Sequence, residues 1–216
     1  MECSRLPPAR RRRNSFLRDF PNDSLAPQPH CCCHELVWFR KGTLNHICVF
    51  VAQGFGVGKI SLAPGTFGSA VGIAWFFLLL LPRSLPAFIA GTIAGLAASI
   101  WCCGVAERAL GQRDPGSVVL DEITAMPVCF TGWLMWYWSV YHTLPDLAYF
   151  IRPAALPMLL ITFAAFRIFD IWKPWPIRQS QNLSGGLGIT LDDVLAGTYA
   201  ALVAGASACI IGPRPM

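Results

Sequence analysis

Apolar residues are concentrated along this chain in five long segments, which shorter polar stretches separate. Each segment approaches the roughly 20 residues that an α-helix needs to cross a hydrocarbon core about 30 Å thick. The segments lie at about 67–82, 86–106, 123–142, 148–166 and 194–212. A shorter apolar segment at 46–58 predicts an interfacial or re-entrant helix. The pattern therefore predicts an all-α fold, a polytopic helical membrane protein with about four to five transmembrane or re-entrant helices.

The composition agrees with this prediction and sets the N-terminal part of the chain apart. Of the 216 residues, 54% are hydrophobic and 13% are charged, which is too apolar for an ordinary soluble domain. Residues 1–45 differ, because they are rich in proline and contain four consecutive arginines at 10–13. They are interpreted as a mostly disordered basic tail that precedes a membrane domain at 46–216. The tail either binds acidic lipid headgroups or only sets the topology.

The distribution of positive charge predicts the orientation in the membrane. If the tail is cytoplasmic and all five segments cross, the loops at 107–122 and 167–193 are also cytoplasmic. All but three of the 17 Lys and Arg residues then lie inside, the exceptions being Arg83, Arg152 and Arg214. Since short cytoplasmic loops carry an excess of Lys and Arg, this arrangement satisfies the positive-inside rule.

The stretch 166–197 is charged although apolar segments flank it. The sequence Lys-Pro-Trp-Pro at 173–176 predicts that a helix ends before it, with Lys173 and Trp175 extended and Lys173 near Asp170. The glycines that follow, Gly185 and Gly186 among them, would let backbone N–H groups approach an anion. Asp192 and Asp193 are expected to open the next helix, either as simple partners of its dipole or as functional carboxylates.

A second turn-rich stretch, GKISLAPGTFGS at 58–69, enters the first long apolar segment. Thr66 and Ser69 could present hydrogen-bond donors to an anion. They could equally cap the start of a helix. The residues alone leave both alternatives open.

Five carboxylates converge on one membrane surface in the predicted topology. Such groups are costly at the ends of membrane spans unless they pair, bind a cation or serve a pathway. Carboxylate oxygens without His or Cys neighbours suit magnesium, which bridges carboxylates to a phosphate. Arg167 and Lys173 suit the phosphate itself. The sequence predicts a magnesium-dependent phosphoryl-transfer site in cytoplasmic loops, built on Asp121, Glu122, Asp170, Asp192 and Asp193.

Four motifs follow one another from about residue 54 onward: LAPGTFGS at 62–69, GSVVLDE at 116–122, FRIFDIWKPWPI at 166–177 and GGLGITLDDVLAG at 185–197. Through these motifs the chain resembles the phosphatidylglycerophosphatase A family. The resemblance implies an enzyme of the bacterial plasma (inner) membrane that uses Mg²⁺ to hydrolyse the terminal phosphomonoester of phosphatidylglycerophosphate. The products would be phosphatidylglycerol and phosphate, and no nucleic acid is expected as a partner.

The resemblance also assigns residues to the site. The acidic positions of its motifs fall on Asp121, Glu122, Asp170, Asp192 and Asp193, expected as metal ligands and catalytic groups together with Lys173. Substrate binding is expected of Arg167, Lys173, Gly185, Gly186, Thr66 and Ser69. Either a carboxylate activates water, or Asp170 or Asp192 forms an aspartyl-phosphate. The alternative function is a small membrane ion transporter that uses the same carboxylates.

Overall fold

A computed structural model of the chain describes the backbone of residues 32–211 and the side chains from residue 42 onward. In these ranges all regular structure is helical, which confirms the all-α prediction. The helices are α1 (Cys32–Ala52), α2 (Pro64–Leu80), α3 (Leu85–Leu110), α4 (Leu120–Tyr141), α5 (Leu147–Phe150), α6 (Leu156–Trp172), α7 (Ile177–Ser180) and α8 (Gly186–Ile211), with a 3₁₀ segment at Gly54–Lys59.

The first helix is longer than the sequence predicted. It begins at Cys32 and runs through residue 45, where the predicted tail should end, so a short helix that starts at His46 is wrong. The reason is that Glu35, Arg40 and Lys41 lower the hydropathy but are good helix formers. The rest of the predicted tail, 1–31, lies outside the described residues.

The fourth apolar segment, predicted at 148–166, is not one helix. The short α5 ends at Phe150 and α6 begins only at Leu156. Pro153 lies in the break. Pro157 occupies the first turn of α6, where the backbone N–H that proline lacks would have no partner within the helix. The shift carries α6 six residues beyond the predicted end, so that Arg167 and Asp170 are helical.

Two described helices, α3 and α8, are long and apolar enough to cross a membrane. Only 28% of the apolar window in α3 and 33% of that in α8 is buried inside the protein, so most of their apolar side chains face outward. A surface of this kind suits lipid better than water. The helix α2 is apolar but has 17 residues, and the count of four to five spans stays a prediction.

Helix α4 lies at the centre and packs mainly against α2 and α8. Lipid provides little hydrophobic drive between membrane helices, so close approach of small residues matters more. Gly132 of α4 lies against the backbone of Ala201 and Gly205 in α8, where an added Cβ would collide. Close to Gly132 along α4, an aromatic cluster packs α4 against α2, with the rings of Phe76 and Phe130 stacked at 4.2 Å. This packing fixes the start of α4 relative to α8.

The two ends of the helical bundle differ in chemistry. The starts of α2, α4 and α8 and the ends of α3 and α6 lie at one end, called here the site end. The opposite end, the far end, contains the connection between α2 and α3 and the segment 142–155.

Candidate active site

Three carboxylates meet where α4 and α8 are in contact. Asp121 and Glu122 lie in the first turn of α4, and Asp193 lies in the second turn of α8. One oxygen from each residue lies within 4.8 Å of the others. The Oδ1 atom of Asp121 and the Oε2 atom of Glu122 are buried and have no hydrogen-bond partner in the described part of the chain. Buried carboxylate oxygens without donors are costly unless a proton or a cation binds them.

The surroundings raise the pKa of two of these groups, which precede the apolar part of α4. Burial raises the pKa of the Asp121 carboxyl to about 6. Burial also raises the pKa of Glu122 well above its ordinary value, and the charge of Asp121 adds to this effect. A divalent cation at this position would replace protons and offset the mutual repulsion. An all-oxygen donor set fits magnesium.

A fourth carboxylate, Asp192, is paired with a lysine. The Nζ atom of Lys173 donates to Asp192 Oδ2 at 2.6 Å, and Gln181 Nε2 donates to the same oxygen at 3.2 Å. Burial lowers the pKa of Lys173, but the hydrogen bond and the charge of Asp192 raise it, and the net change is upward. The ammonium group is therefore held charged at the site.

The backbone of Lys173 differs from the sequence prediction. Lys173 is the C-cap of α6 in the left-handed region, with φ 48° and ψ 61°, rather than in an extended conformation. Its N–H donates to the carbonyl of Phe169 at 2.8 Å, which completes the end of the helix. The turn directs the side chain into an ion pair with Asp192, and Asp170 is close enough for its charge to raise the pKa of Lys173 as well.

The fifth carboxylate, Asp170, is paired with Arg167 one turn earlier on α6. The Nη1 atom of Arg167 lies 2.7 Å from Asp170 Oδ2, and both side chains are mostly buried. The same nitrogen donates to the hydroxyl of Ser69 at 3.3 Å. The Nε atom of Arg167 is buried without a partner among the described residues. Arg167 thus joins α6 to α2 and retains donor capacity for an anion.

The start of α2 lies beside these groups. Its N-cap is Ala63, in the left-handed region and without a side-chain hydrogen bond, so Thr66 and Ser69 do not cap the helix. Ser69 instead donates to the carbonyl of Gly65 at 2.8 Å. A Cβ at Gly65 would collide with the Glu122 carboxylate and lie 3.2 Å from Arg167 Nη2. Thr66 lies in this first turn, which therefore faces the site.

Of the glycines before Asp192, all but Gly185 lie at the start of α8 and not in a loop that precedes it. Helix α8 already begins at Gly186, so Asp192 and Asp193 lie in its second turn and do not open it. The helix dipole stabilises carboxylates mainly in the first turn, so it does not explain Asp192 and Asp193. The alternative that they are functional carboxylates is therefore favoured. Gly186 packs on the backbone of Ile100 and Gly104 in α3, where a Cβ would collide. Its lack of a side chain is explained by helix packing. Gly185, at φ 75°, forms the turn before α8.

A small cavity next to Asp192 contains residues that the sequence analysis missed. Its volume is about 20 Å³, enough for a water molecule. Its lining includes Glu107, Asp114 and Gln181. Arg113 Nη2 donates a hydrogen bond to the carbonyl of Gln181 at 2.6 Å. Gln181 gives no sequence signal beyond its position in a polar loop. Asp114 could have been noticed as a further acidic residue on the predicted cytoplasmic face.

Comparison with known proteins places the chain in a family. The family described as "Phosphatidylglycerophosphatase A" matches residues 50–208. A protein of that name from Escherichia coli is 33% identical over 153 residues, covering 70% of this chain and 77% of the relative. Its namesake from Haemophilus influenzae is 34% identical over 167 residues, covering 76% and 90%. A relative from Bacteroides thetaiotaomicron, named "Putative phosphatidylinositol-3-phosphatase", is 33% identical over 171 residues, covering 76% and 95%.

No solved structure matches the chain. The family match spans α2 to α8 and so includes all five carboxylates, Arg167 and Lys173. The chain therefore belongs to the phosphatidylglycerophosphatase A family.

Proposed function

We propose that this chain hydrolyses the terminal phosphomonoester of phosphatidylglycerophosphate with the help of Mg²⁺, giving phosphatidylglycerol and phosphate. The observation that carries the proposal is the group Asp121, Glu122 and Asp193, with two buried oxygens that lack donors. Family membership supports the reaction class, since two relatives carry the name of this phosphatase.

Each residue of the site has a distinct part in the proposed reaction. The three grouped carboxylates would hold magnesium, which supplies positive charge that stabilises the phosphate oxygens as charge develops on them. Arg167 and Lys173 contribute donors to the same oxygens. Asp170 and Asp192 orient these two cations through the ion pairs at 2.7 and 2.6 Å. The first turn of α2, at Gly65, lies directly against the Glu122 carboxylate and the Arg167 guanidinium, so it would border the bound phosphate.

The proposed location is the bacterial plasma (inner) membrane, with the site facing the cytoplasm. The bacterial relatives and the two apolar helices support a membrane location. The excess of Lys and Arg in the loops at the site end supports the orientation. The transporter alternative gains no support, because α2 has no charged residue and the charged residues of α3, α4, α6 and α8 all lie toward the site end.

The proposal is tested by phosphate release from the purified full chain in lipid nanodiscs. Phosphatidylglycerophosphate, phosphatidylinositol 3-phosphate and soluble glycerol 3-phosphate are compared, each with magnesium and with excess EDTA. We expect release from phosphatidylglycerophosphate with magnesium only. Full turnover in EDTA would contradict the role of the metal. Preference for phosphatidylinositol 3-phosphate, the substrate in the name of one relative, would reassign the headgroup.

A further inference from the structure

A second polar cavity lies at the far end of the bundle, away from the carboxylates. Its volume is about 360 Å³, and its lining includes Arg83, Arg152, Asp146, Tyr137, Thr143 and Leu144. It opens among the connections that join α2 to α3 and α4 to α6. Helix α4, with 22 residues, is about 33 Å long and separates this cavity from the carboxylates at its start. One substrate headgroup cannot occupy both places.

The charges in this cavity favour an anion. Arg83 Nη2 lies 3.3 Å from Asp146 Oδ2, and both side chains are largely exposed. The other oxygen of Asp146 accepts from the N–H of Tyr149 at 2.9 Å, so this single carboxylate is already used twice. The Nη1 atom of Arg152 is buried and has no hydrogen-bond partner among the described residues. Two guanidinium groups against one carboxylate leave a net positive charge and a donor that needs an acceptor.

An apolar groove adjoins the cavity. Its volume is about 380 Å³, and it lies between α3 and α4, lined by Leu85, Phe88, Ile89, Leu134, Met135 and Trp138. Leu144 lines both the groove and the polar cavity, so the two are neighbours at the far end of the bundle. Met135 is 72% exposed, which leaves the groove accessible from the side of the bundle. A ligand that fits both parts has an anionic head and an apolar chain.

We propose that the cavity and the groove form one binding site for an anionic phospholipid, distinct from the site of the reaction. The headgroup phosphate binds Arg83 and Arg152, and one acyl chain lies along the groove beside Met135 and Trp138. A phosphodiester oxygen would accept from the buried Arg152 nitrogen. A zwitterionic lipid fits less well, because its ammonium group would lie beside two guanidinium groups. A soluble phosphate would leave the groove without a ligand.

Photocrosslinking in nanodiscs tests this site. The full chain is mixed with phosphatidylglycerol or phosphatidylcholine that carries a diazirine in the same acyl chain, and the adducts are mapped by mass spectrometry. We expect phosphatidylglycerol adducts at 85–89 and 134–138 in clear excess over those of phosphatidylcholine. In Arg83→Gln/Arg152→Gln this excess should fall roughly tenfold, since charge-assisted hydrogen bonds are lost.

The matched control is Arg108→Gln/Lys59→Gln, which removes two exposed charges at the site end and should keep the excess. Soluble glycerol 3-phosphate should not compete with the lipid. Equal labelling by the two lipids, or the same excess in the Arg83→Gln/Arg152→Gln variant, would overturn the proposal, as would competition by glycerol 3-phosphate. If the double variant does not fold, as judged by size-exclusion chromatography and circular dichroism of the purified chain, the exposed single variant Arg83→Gln decides by the same crosslinking measurement.

Discussion

At the scale of residues, the site has too much negative charge for its own cations. Five carboxylates meet two cations, and each cation already forms a short ion pair, Arg167 with Asp170 and Lys173 with Asp192. The remaining carboxylates, Asp121, Glu122 and Asp193, form no salt bridge within the described residues and lie close together. Buried like charges repel strongly where the dielectric is low. A bound divalent cation is therefore the simplest way for this group to stay ionised.

The first prediction concerns the metal ligands. Asp193→Asn keeps the shape of the side chain but removes one anionic oxygen from the group. We expect turnover at limiting magnesium to fall by roughly 10- to 100-fold or more. Binding of Mn²⁺ as a spectroscopic substitute, followed by electron paramagnetic resonance, should weaken in parallel while the amount of folded protein is unchanged. Unaltered Mn²⁺ affinity would remove Asp193 from the ligands.

The second prediction concerns Lys173. Lys173→Ala removes the cation that Asp192 holds near the substrate phosphate, and turnover should fall by about 100- to 1000-fold, as for other lost charge-stabilising donors. Lys59→Ala, which removes an exposed lysine at the same end, should change little. The measurement is phosphate release at saturating lipid. Near-normal turnover of both Lys173→Arg and Lys173→Gln would show that the lysine only anchors the end of α6.

The sequence predicts which residues lie at the site better than it predicts which of them form ion pairs. The five carboxylates could be grouped because all lie at the same ends of apolar segments, and the structure brings them together. The partner of Lys173 could not be predicted, because it depends on the left-handed C-cap of α6, whereas a following proline favours an extended conformation. The role of Gln181 depends on a loop conformation that no residue pattern specifies.

At the scale of elements, glycines determine how closely α2 approaches α4. Gly65, Gly68 and Gly72 follow one another at spacings of three and four, which places them on one face of α2. A Cβ at Gly68 would crowd Val119, and one at Gly72 would collide with Met126. The same face therefore packs the helices and brings the first turn of α2 to Glu122. The site depends on this close packing as well as on its charges.

The third prediction tests that approach. In Gly65→Ala the new methyl group would displace the Glu122 carboxylate, the flexible end of a side chain, so the fold should survive. Turnover should fall by up to about 100-fold, the scale known for misplacement of a group by about 1 Å. Gly42→Ala, in α1 with open space around it, is the control and should keep full activity. Equal turnover of the two variants would place the start of α2 outside the site.

The apolar pattern predicts the helices but not their ends. The segments at 86–106 and 194–212 correspond to α3 and α8, yet α3 continues to Leu110 and α8 begins earlier, at Gly186. Hydropathy reports which residues lipid can surround, whereas caps and turns decide where a helix ends. The carboxylates of the candidate site lie in polar parts of α4, α6 and α8 that extend beyond the predicted apolar segments. A hydropathy analysis therefore assigns them to loops, although the structure shows them on helices.

At the scale of the whole molecule, the two ends of the bundle carry different chemistry. The carboxylates, Arg167 and Lys173 lie at the site end, whereas the far end has Arg83 and Arg152 with the single partner Asp146. Between them the charged residues give way to apolar side chains, many of which are exposed. This division suits a protein that lies across a membrane and performs its reaction at one surface. The excess of Lys and Arg at the site end predicts that this surface faces the cytoplasm.

The last prediction tests that orientation. Single cysteines replace Gln112, Asn182 and Thr143 on a background in which the native cysteines are replaced, and intact spheroplasts are treated with a membrane-impermeant maleimide. All three native side chains are exposed, the first two at the site end and the third at the far end. Because the positive-inside rule places the site end in the cytoplasm, only the cysteine at 143 should react from outside. After lysis, the cysteines at 112 and 182 should react as well. Labelling at 182 from outside, with none at 143, would invert the protein and place the reaction on the outer surface.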